Sequence, residues 1–183
     1  MNDLEILTSL RPQLEVIDVS EWSEEEWLAY RNSGLGCSEI GTIMGVNKFD
    51  APNVLWAKKV GLYSQQIKDN RAMFMGRLLE PVLGNMWQFY NPEVPTDEEL
   101  FKNFEENNVI RRLYRPKFYA RNPKYPWLFG GADGLFINEH GDLSVLEIKT
   151  IASFAADQYE SGIPTSYFLQ VQAYMLLFDV DYC

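Results

Sequence analysis

The chain of 183 residues has a single histidine and only two cysteines, and this scarcity excludes several kinds of site. Two cysteines cannot form a disulfide framework or a Cys-rich zinc site, so a reducing, cytoplasmic setting is expected. The one histidine, His140, lies in a predicted turn, which leaves no basis for histidine-rich metal sites or His-dependent acid–base catalysis. No Gly-rich segment has the spacing of a phosphate-binding Walker loop.

Long apolar runs are also missing, and the first ten residues have neither the basic nor the apolar region of a secretory signal. No stretch approaches the ~18 apolar residues that span a membrane, so no membrane partner is expected. The chain is not short of aromatic residues: they make up 14% of it and include five tryptophans, which excludes disorder throughout. We expect one domain over residues 1–183.

Positive charge is in deficit, with 16 basic against 26 acidic residues and a net charge of −10. Taken alone, this total argues against a nucleic-acid partner, because phosphate binding usually requires a basic surface. The distribution differs, however, since residues 107–132 contain no acid and six bases. The bases are Arg111, Arg112, Arg115, Lys117, Arg121 and Lys124. They fit an ordinary charged surface strand and a single positive surface on an otherwise acidic protein about equally well.

The N-terminal part, about residues 20–90, is predicted to be mainly helical. A capping box that begins at Ser23 opens one helix, and Ser38 is the expected N-cap of the next. Pro52 is placed to start a third. The strongest helical periodicity runs over residues 71–90.

A β-hairpin is predicted from two strand-like segments, residues 131–138 and 143–150. A three-residue loop over 139–141, with glycine third, fits a type I turn followed by a bulge. That loop pairs Asp133 directly with Glu147, so the two carboxylates should lie on one face with Cβ atoms ~5 Å apart. A two-residue loop would move Glu147 to the opposite face.

Lys149 falls on the same face as this pair. One interpretation is an ordinary ion pair at the end of a strand. The other is a site for a hard cation, because Mg²⁺ prefers carboxylate oxygens and substrate phosphate oxygens. In that case the lysine ammonium would orient water or offset charge on the attacked phosphate.

These residues resemble the D…(D/E)xK signature of restriction-endonuclease-like nucleases. Four further matches, in order, resemble the YqaJ-type viral recombinase family, to which the phage lambda-type exonucleases belong. They are Gly36-Cys37-Ser38-Glu39-Ile40, Met75-Gly76-Arg77-Leu78-Leu79-Glu80-Pro81, Gly131-Ala132-Asp133-Gly134, and the helix with Pro164, Tyr167, Gln170 and Gln172 at about 164–178. The resemblance implies an α/β fold with a restriction-endonuclease-like core, in which a central mixed sheet is flanked by helices. We expect this sheet to contain the 131–150 hairpin, with the 71–90 and 164–178 helices packed beside it.

The resemblance also implies roles for individual residues. Lys149 would position or activate the attacking water, and Gln170 would hold that water or the lysine. The implied catalytic residues are Glu80, Asp133, Glu147, Lys149 and Gln170. The implied ligands of Mg²⁺, for which Mn²⁺ would substitute, are Glu80, Asp133, Glu147 and the carbonyl of Ile148.

DNA contacts are expected at two places. Arg31 and Ser38 match positions that grip a terminal 5′-phosphate in the lambda-type branch, although simple N-capping explains Ser38 equally well. Backbone contacts are expected from the basic segment, at Arg111, Arg112, Arg115 and Lys117.

The resulting hypothesis is a Mg²⁺-dependent deoxyribonuclease of a phage or prophage recombination system, with a 5′-3′ exonuclease favoured. Its partners would be DNA, a single-strand annealing protein and further copies of the chain, in the cytoplasm of a bacterial host. The alternatives are a non-catalytic nuclease-like decoy or partner-binding protein, and an endonuclease with the same metal site. The chain looks short for the family after Gln172.

Overall fold

The computed structural model describes residues 3–63, 70–151, 159–160 and 162–183; residues 64–69 of the predicted helical part therefore lie outside it. The described residues alternate helices with short strands. The helices are α1 (Asp3–Leu10), α2 (Glu24–Asn32), α3 (Ile40–Ile43), α4 (Pro52–Lys59), α5 (Arg71–Trp87), α6 (Asp97–Glu105) and α7 (Thr165–Phe178). A 3-10 turn, Cys37–Glu39, leads directly into α3. Within these ranges, no helix is long and apolar enough to cross a bilayer.

The strands are β1 (Glu15–Asp18), β2 (Leu35–Gly36), β3 (Leu113–Tyr114), β4 (Phe118–Arg121), β5 (Leu128–Gly130), β6 (Gly134–Ile137) and β7 (Leu143–Leu146). Within the described residues they form two sheets. A mixed sheet has the order β1-β4-β5-β2, in which only β2 and β5 are parallel. A second, antiparallel sheet has the order β3-β6-β7.

Local sequence signals determine where several helices begin. The Ser23 hydroxyl accepts a hydrogen bond from the Glu26 N–H at 3.2 Å, and the Glu26 carboxylate accepts one from the Ser23 N–H at 2.8 Å. This capping box starts α2 as predicted. Pro52 occupies the first turn of α4, where its missing N–H costs nothing. Helix α5 continues through Pro81.

The predicted hairpin has the predicted register. The Asn138 N–H donates to the Asp142 carbonyl at 2.9 Å. Gly141 has φ +84°, a backbone conformation that residues other than glycine rarely adopt. The ladder then pairs Gly134 with Leu146. The next pair beyond it is Asp133 with Glu147.

Three local predictions are corrected. The hairpin strands are shorter than 131–138 and 143–150, and they belong to the three-stranded sheet instead of the mixed one. Ser38 is not an N-cap: it lies inside the 3-10 turn, whose N-cap is Gly36. The N–H of Gly36 is already bound to the Glu39 carboxylate at 2.8 Å, so the turn begins two residues earlier than a cap at Ser38 would require.

Helix α7 joins the two sheets through the hydrophobic core. Its buried face carries Ala173, Tyr174, Leu177 and Phe178, and Phe178 meets Phe118 of β4 edge to face at 5.9 Å. Leu135 and Val145 of the hairpin belong to the same core. Burying this apolar face holds α7, and therefore Gln170, in a fixed position relative to the hairpin.

Candidate active site

The end of the hairpin places two carboxylates side by side. Asp133 and Glu147 occupy the first positions beyond the last ladder pair, where the strands separate. Oδ2 of Asp133 accepts a hydrogen bond from the Ile148 N–H at 2.7 Å. This bond replaces the ladder bond that a longer strand would make, and it fixes Asp133 against the opposite strand.

Glu147 lies at the centre of a small polar network. Its Oε1 accepts a hydrogen bond from Gln170 Nε2 of α7 at 2.6 Å and a second, charge-assisted bond from Lys149 Nζ. The Lys149 ammonium also lies over the ring of Tyr167, 5.5 Å from its centre. The hairpin thus supplies the acid and the lysine, and α7 supplies the groups that orient them.

The second oxygen of Glu147, Oε2, is buried without a hydrogen-bond partner among the described residues. The side chain is only 8% exposed, so this oxygen cannot recover its hydrogen bonds from bulk water. Burial, helped by the negative charge of Asp133 and opposed by Lys149, raises the pKa of Glu147 to about 7. A buried, unpartnered carboxylate oxygen is a position where a bound cation would be stabilised.

Glu80 enters the site from α5. Burial and the charge of Asp133 raise the pKa of Glu80, whereas Arg115 and Lys149 act in the opposite direction. The charge of Asp133 therefore acts on both glutamates. Within the described ranges, however, no three Asp, Glu, His or Cys side chains converge closely enough to enclose a metal ion by themselves.

The oxygen donors nevertheless suit a hard cation. Glu147 Oε2 has no hydrogen-bond partner within the described ranges, and Asp133 and Glu80 are near enough to act electrostatically. The carbonyl of Ile148 belongs to the same chain segment. Mg²⁺ commonly keeps several waters and takes only one or two carboxylates, so a complete protein cage is not required.

The sequence predicts that Arg115 contacts DNA with the rest of the basic segment, but in the structure its side chain points toward the acidic residues. Its Nη2 donates to Oε1 of Glu80 at 2.6 Å, and its Nε donates to the Asp133 carbonyl at 3.1 Å. Nothing local in the sequence signals this, because the partners are 35 and 18 residues away.

Tyr174 was also missed as a contributor to the site. Its hydroxyl donates to the Gly131 carbonyl at 3.0 Å and lies 3.3 Å from Gln170 Nε2. Tyr174 is one helical turn after Gln170, and this spacing on one face of α7 is the signal that could have identified it.

A second charged cluster lies around Glu39. Arg31 Nη2 donates to Glu39 Oε1 at 2.6 Å, and Lys59 Nζ lies 2.6 Å from Oε2. Arg31 also lies over the ring of Trp27, at 4.9 Å. Ser38 is exposed beside this cluster. Arg31 and Ser38, the two residues predicted to bind a terminal phosphate, therefore both lie next to Glu39. Arg31 already forms an ion pair with this glutamate.

The side chains of the basic segment do not all face solvent on one positive surface. Arg111 lies over Trp87 at 4.3 Å and donates to the Tyr90 carbonyl at 3.0 Å. Arg112, which lies over Tyr114, and Lys117 are exposed, so these two are the predicted DNA contacts that the structure leaves at the surface.

Other nucleophiles are poor candidates. Burial raises the pKa of the Cys37 thiol well above its ordinary value, which suppresses the reactive thiolate. His140 is exposed in the hairpin turn, as predicted, far along the strands from the carboxylates.

Residues 26–180, which include every candidate site residue, match a family model described as the YqaJ-like viral recombinase domain. The uncharacterized protein YqaJ of Bacillus subtilis (strain 168) is 29% identical over 164 residues, which are 89% of this chain and 45% of that protein. The chain thus spans a little under half the length of this relative.

The fold is similar to that of the alkaline exonuclease LHK-Exo from Laribacter hongkongensis. Its crystal structure gives a TM-score of 0.58, and its complex with dAMP gives 0.59. Both matches cover 85% of this chain and 69% of the other, at 20% identity. The predicted restriction-endonuclease-like α/β fold, with a mixed sheet and flanking helices, is confirmed.

Proposed function

Because the chain belongs to the YqaJ-like viral recombinase family, we propose that it is a Mg²⁺-dependent nuclease that hydrolyses DNA phosphodiester bonds. The observation that carries this proposal is Oε2 of Glu147, which is buried near Asp133 and Lys149 without a hydrogen-bond partner in the part of the chain that the structure describes. An ordinary structural ion pair at a strand end would not leave a carboxylate oxygen buried and unpaired, since that costs free energy.

The residues that would hold Mg²⁺ are Asp133, Glu147, Glu80 and the carbonyl of Ile148. All supply hard oxygen donors, and Mn²⁺ should substitute because it accepts the same ligands. A bound divalent ion would polarise the phosphate oxygens and offset charge that develops at phosphorus. It would also offset the burial and, secondarily, the repulsion from Asp133 that raise the pKa values of Glu80 and Glu147.

Side chains of the protein would orient the attacking water and hold the metal ligands in place. Lys149 lies at the mouth of the site with its ammonium partly exposed, where it can orient an attacking water or stabilise the phosphate. Gln170 holds Glu147 from α7, and Tyr174 braces the Gly131 carbonyl beside Asp133. Hydrolysis would form the bond from water oxygen to phosphorus and break the P–O3′ bond, leaving a 5′-phosphate.

The finer proposal is a 5′-3′ exonuclease of a phage or prophage recombination system. LHK-Exo is an alkaline exonuclease that also forms a complex with dAMP, and this supports DNA as the substrate class. The cluster at Arg31 would bind a terminal phosphate, with Ser38 beside it. A single-strand annealing protein and further copies of the chain are the partners that such a role would require.

Digestion of linear, nicked and circular DNA in Mg²⁺, with and without a chelator, tests this function. Linear DNA alone should be degraded, and the chelator should stop the reaction. Asp133→Asn should be inactive, whereas Asp142→Asn, on the same hairpin at the exposed tip, should retain activity. Cleavage of circular DNA would favour an endonuclease, and binding without any cleavage would favour the decoy interpretation.

A further inference from the structure

Arg115 connects the two halves of the proposed metal site. It follows β3 directly, and its guanidinium donates through Nη2 to Glu80 Oε1 at 2.6 Å and through Nε to the Asp133 carbonyl at 3.1 Å. Its own N–H is bound to the Asp3 carboxylate at 2.9 Å. One side chain therefore links helix α5 to the hairpin, and both of its side-chain partners are proposed metal ligands.

The packing around this arginine is close. Gly84 lies one turn after Glu80 on α5, and a Cβ atom added there would be 3.3 Å from Arg115 Nη1 and 3.2 Å from Leu113 Cδ2. The absence of a side chain at this position lets the guanidinium pass under the helix to reach Glu80. About a third of each side chain in the Arg115–Glu80 pair remains exposed, so water and ions have access to it.

The negative charges around Glu80 explain why the cationic side chain of Arg115 is stable beside it. Glu80, Asp133 and Glu147 form an acidic group in which Lys149 is paired with Glu147. Arg115 and Lys149 both oppose the repulsion between Glu80 and Asp133, and Arg115 does so through a direct ion pair with Glu80 at 2.6 Å. The Arg115 guanidinium neutralises the negative charge of Glu80, as a bound divalent ion would.

We propose that Arg115 is the resident counter-cation of Glu80 and that Mg²⁺ competes with it for the Glu80 carboxylate. This inference rests on the proposed function, because it requires a metal ion at the site. If Glu80 bound the ion, the bond from Arg115 Nε to the Asp133 carbonyl would still hold the guanidinium at the edge of the site. Arg115 is thus a positioning residue that keeps the metal-free protein folded at the expense of metal affinity.

The test uses four forms of the protein: unmutated, Arg115→Gln, Arg115→Lys and Arg112→Gln. Arg112→Gln is the matched control, because it removes the same charge from the same segment at a residue that lies over Tyr114. Mg²⁺ and Mn²⁺ affinities are measured by titration calorimetry, and the melting temperature is measured without metal. Circular dichroism verifies that each variant is folded.

Arg115→Gln should change the two measurements in opposite directions. Its metal-free melting temperature should fall below that of Arg112→Gln, because the acidic group loses its cation. Its Mg²⁺ affinity should rise roughly three- to tenfold, the range expected for losing a partly exposed competing ion pair. Arg115→Lys should be intermediate, since lysine cannot hold both contacts with one planar fork. It therefore decides the question if the glutamine variant fails to fold.

Several results would overturn the inference. A purely structural arginine predicts that stability and metal affinity fall together. Equal affinities in Arg115→Gln and Arg112→Gln, with the unmutated protein binding metal, would reject the competition but leave the proposed function intact. If the unmutated protein binds neither Mg²⁺ nor Mn²⁺, the proposed function fails and the inference fails with it.

Discussion

Gln170 of α7 donates a hydrogen bond to Oε1 of Glu147 at 2.6 Å, which ties the last helix to the end of the hairpin. The amide has one further neighbour, the Tyr174 hydroxyl at 3.3 Å. Since Gln170 is buried and Glu147 nearly so, the bond is shielded from water and should determine where the carboxylate points.

Gln170→Leu should therefore impair catalysis much more than folding. A hydrogen bond to a charged group is worth ~1.5–3 kcal/mol, so cleavage should slow by roughly ten- to a hundredfold. Gln172→Leu is the matched control: it is on the same helix but exposed, with its amide near the Met175 sulfur. Single-turnover cleavage rates give the comparison, and equal rates for the two variants would remove Gln170 from the site.

The protein should respond to Mg²⁺ in a pH-dependent way. The pKa of Glu147 is raised from 4.5 to about 7 in the folded, metal-free protein. The group therefore contributes stability that is complete below its unfolded pKa and is lost as the pH rises through about 7. Metal binding needs the deprotonated carboxylate, so the Mg²⁺-induced rise in melting temperature should increase from about pH 6 to about pH 8.

Thermal melts at several pH values, with and without Mg²⁺, measure this dependence. Asp133→Asn should abolish the metal-induced rise, while Asp142→Asn should leave it unchanged. A rise that is the same at every pH would mean that Glu147 is not a ligand.

End recognition should depend on Arg31. If this residue binds a terminal phosphate, 5′-phosphorylated DNA should be digested about tenfold faster than 5′-hydroxyl DNA, because the contact is charge-assisted but must replace the bond to Glu39. Arg31→Ala should remove most of this preference and leave the Mg²⁺-induced thermal shift intact. Arg31→Lys should rescue it only in part, because lysine lacks the fork geometry.

Lys58→Ala provides the control for Arg31, since Lys58 forms a similar, partly exposed ion pair with Asp50. This variant should keep the end preference. If the unmutated protein digests both kinds of end at the same rate, Arg31 has only a structural role through Glu39 and Trp27.

Only the exposed members of the basic segment should contribute to DNA affinity. Replacing Arg112 and Lys117 together by glutamine should weaken binding and reduce the slope of log affinity against log salt by about 2, or ~1 per lost phosphate contact. Arg111→Gln should reduce this slope little, because its guanidinium is held by Trp87 and the Tyr90 carbonyl. Fluorescence anisotropy over a salt series distinguishes these outcomes.

The hairpin turn should be sensitive at one residue. Gly141 has φ +84°, where a Cβ atom is strained, so Gly141→Ala should reduce the free energy of unfolding by about 1 kcal/mol and the melting temperature by about 2–4 °C. His140→Ala, its exposed neighbour, should have little effect. Urea unfolding of both variants measures the difference, and equal stability would show that the turn tolerates the added side chain.

Features governed by neighbouring residues could be predicted from the sequence. The Ser23 capping box, the start of α4 at Pro52 and the pairing of Asp133 with Glu147 all follow from signals within a few residues. The register of the hairpin is predictable because the turn at Gly141 fixes the first pair of residues, and each further pair along the two strands follows from it.

Features that depend on distant partners could not be predicted in this way. The basic residue Arg115 has the same local sequence signal whether it faces DNA or Glu80, and only the packing of α5 against β3 decides between them. The same holds for the binding of Arg31 by Glu39 and for the split into two sheets. The prediction of Ser38 as an N-cap was wrong because Glu39 binds the backbone N–H of Gly36, and the turn begins there, two residues earlier.

The hairpin has a practical consequence for anyone who wishes to move this chemistry into another scaffold. Four ladder pairs separate the exposed tip from the carboxylates, and the parity of the residue count along them decides which side chain stands opposite Asp133. A transplanted loop that shifted the register by one residue would place Leu146 opposite Asp133 in place of Glu147, and it would turn the buried side chains of that strand, such as Val145, to the other face of the sheet. The portable unit is therefore the whole hairpin with its glycine turn, and a graft of the acidic residues alone would not reproduce the site.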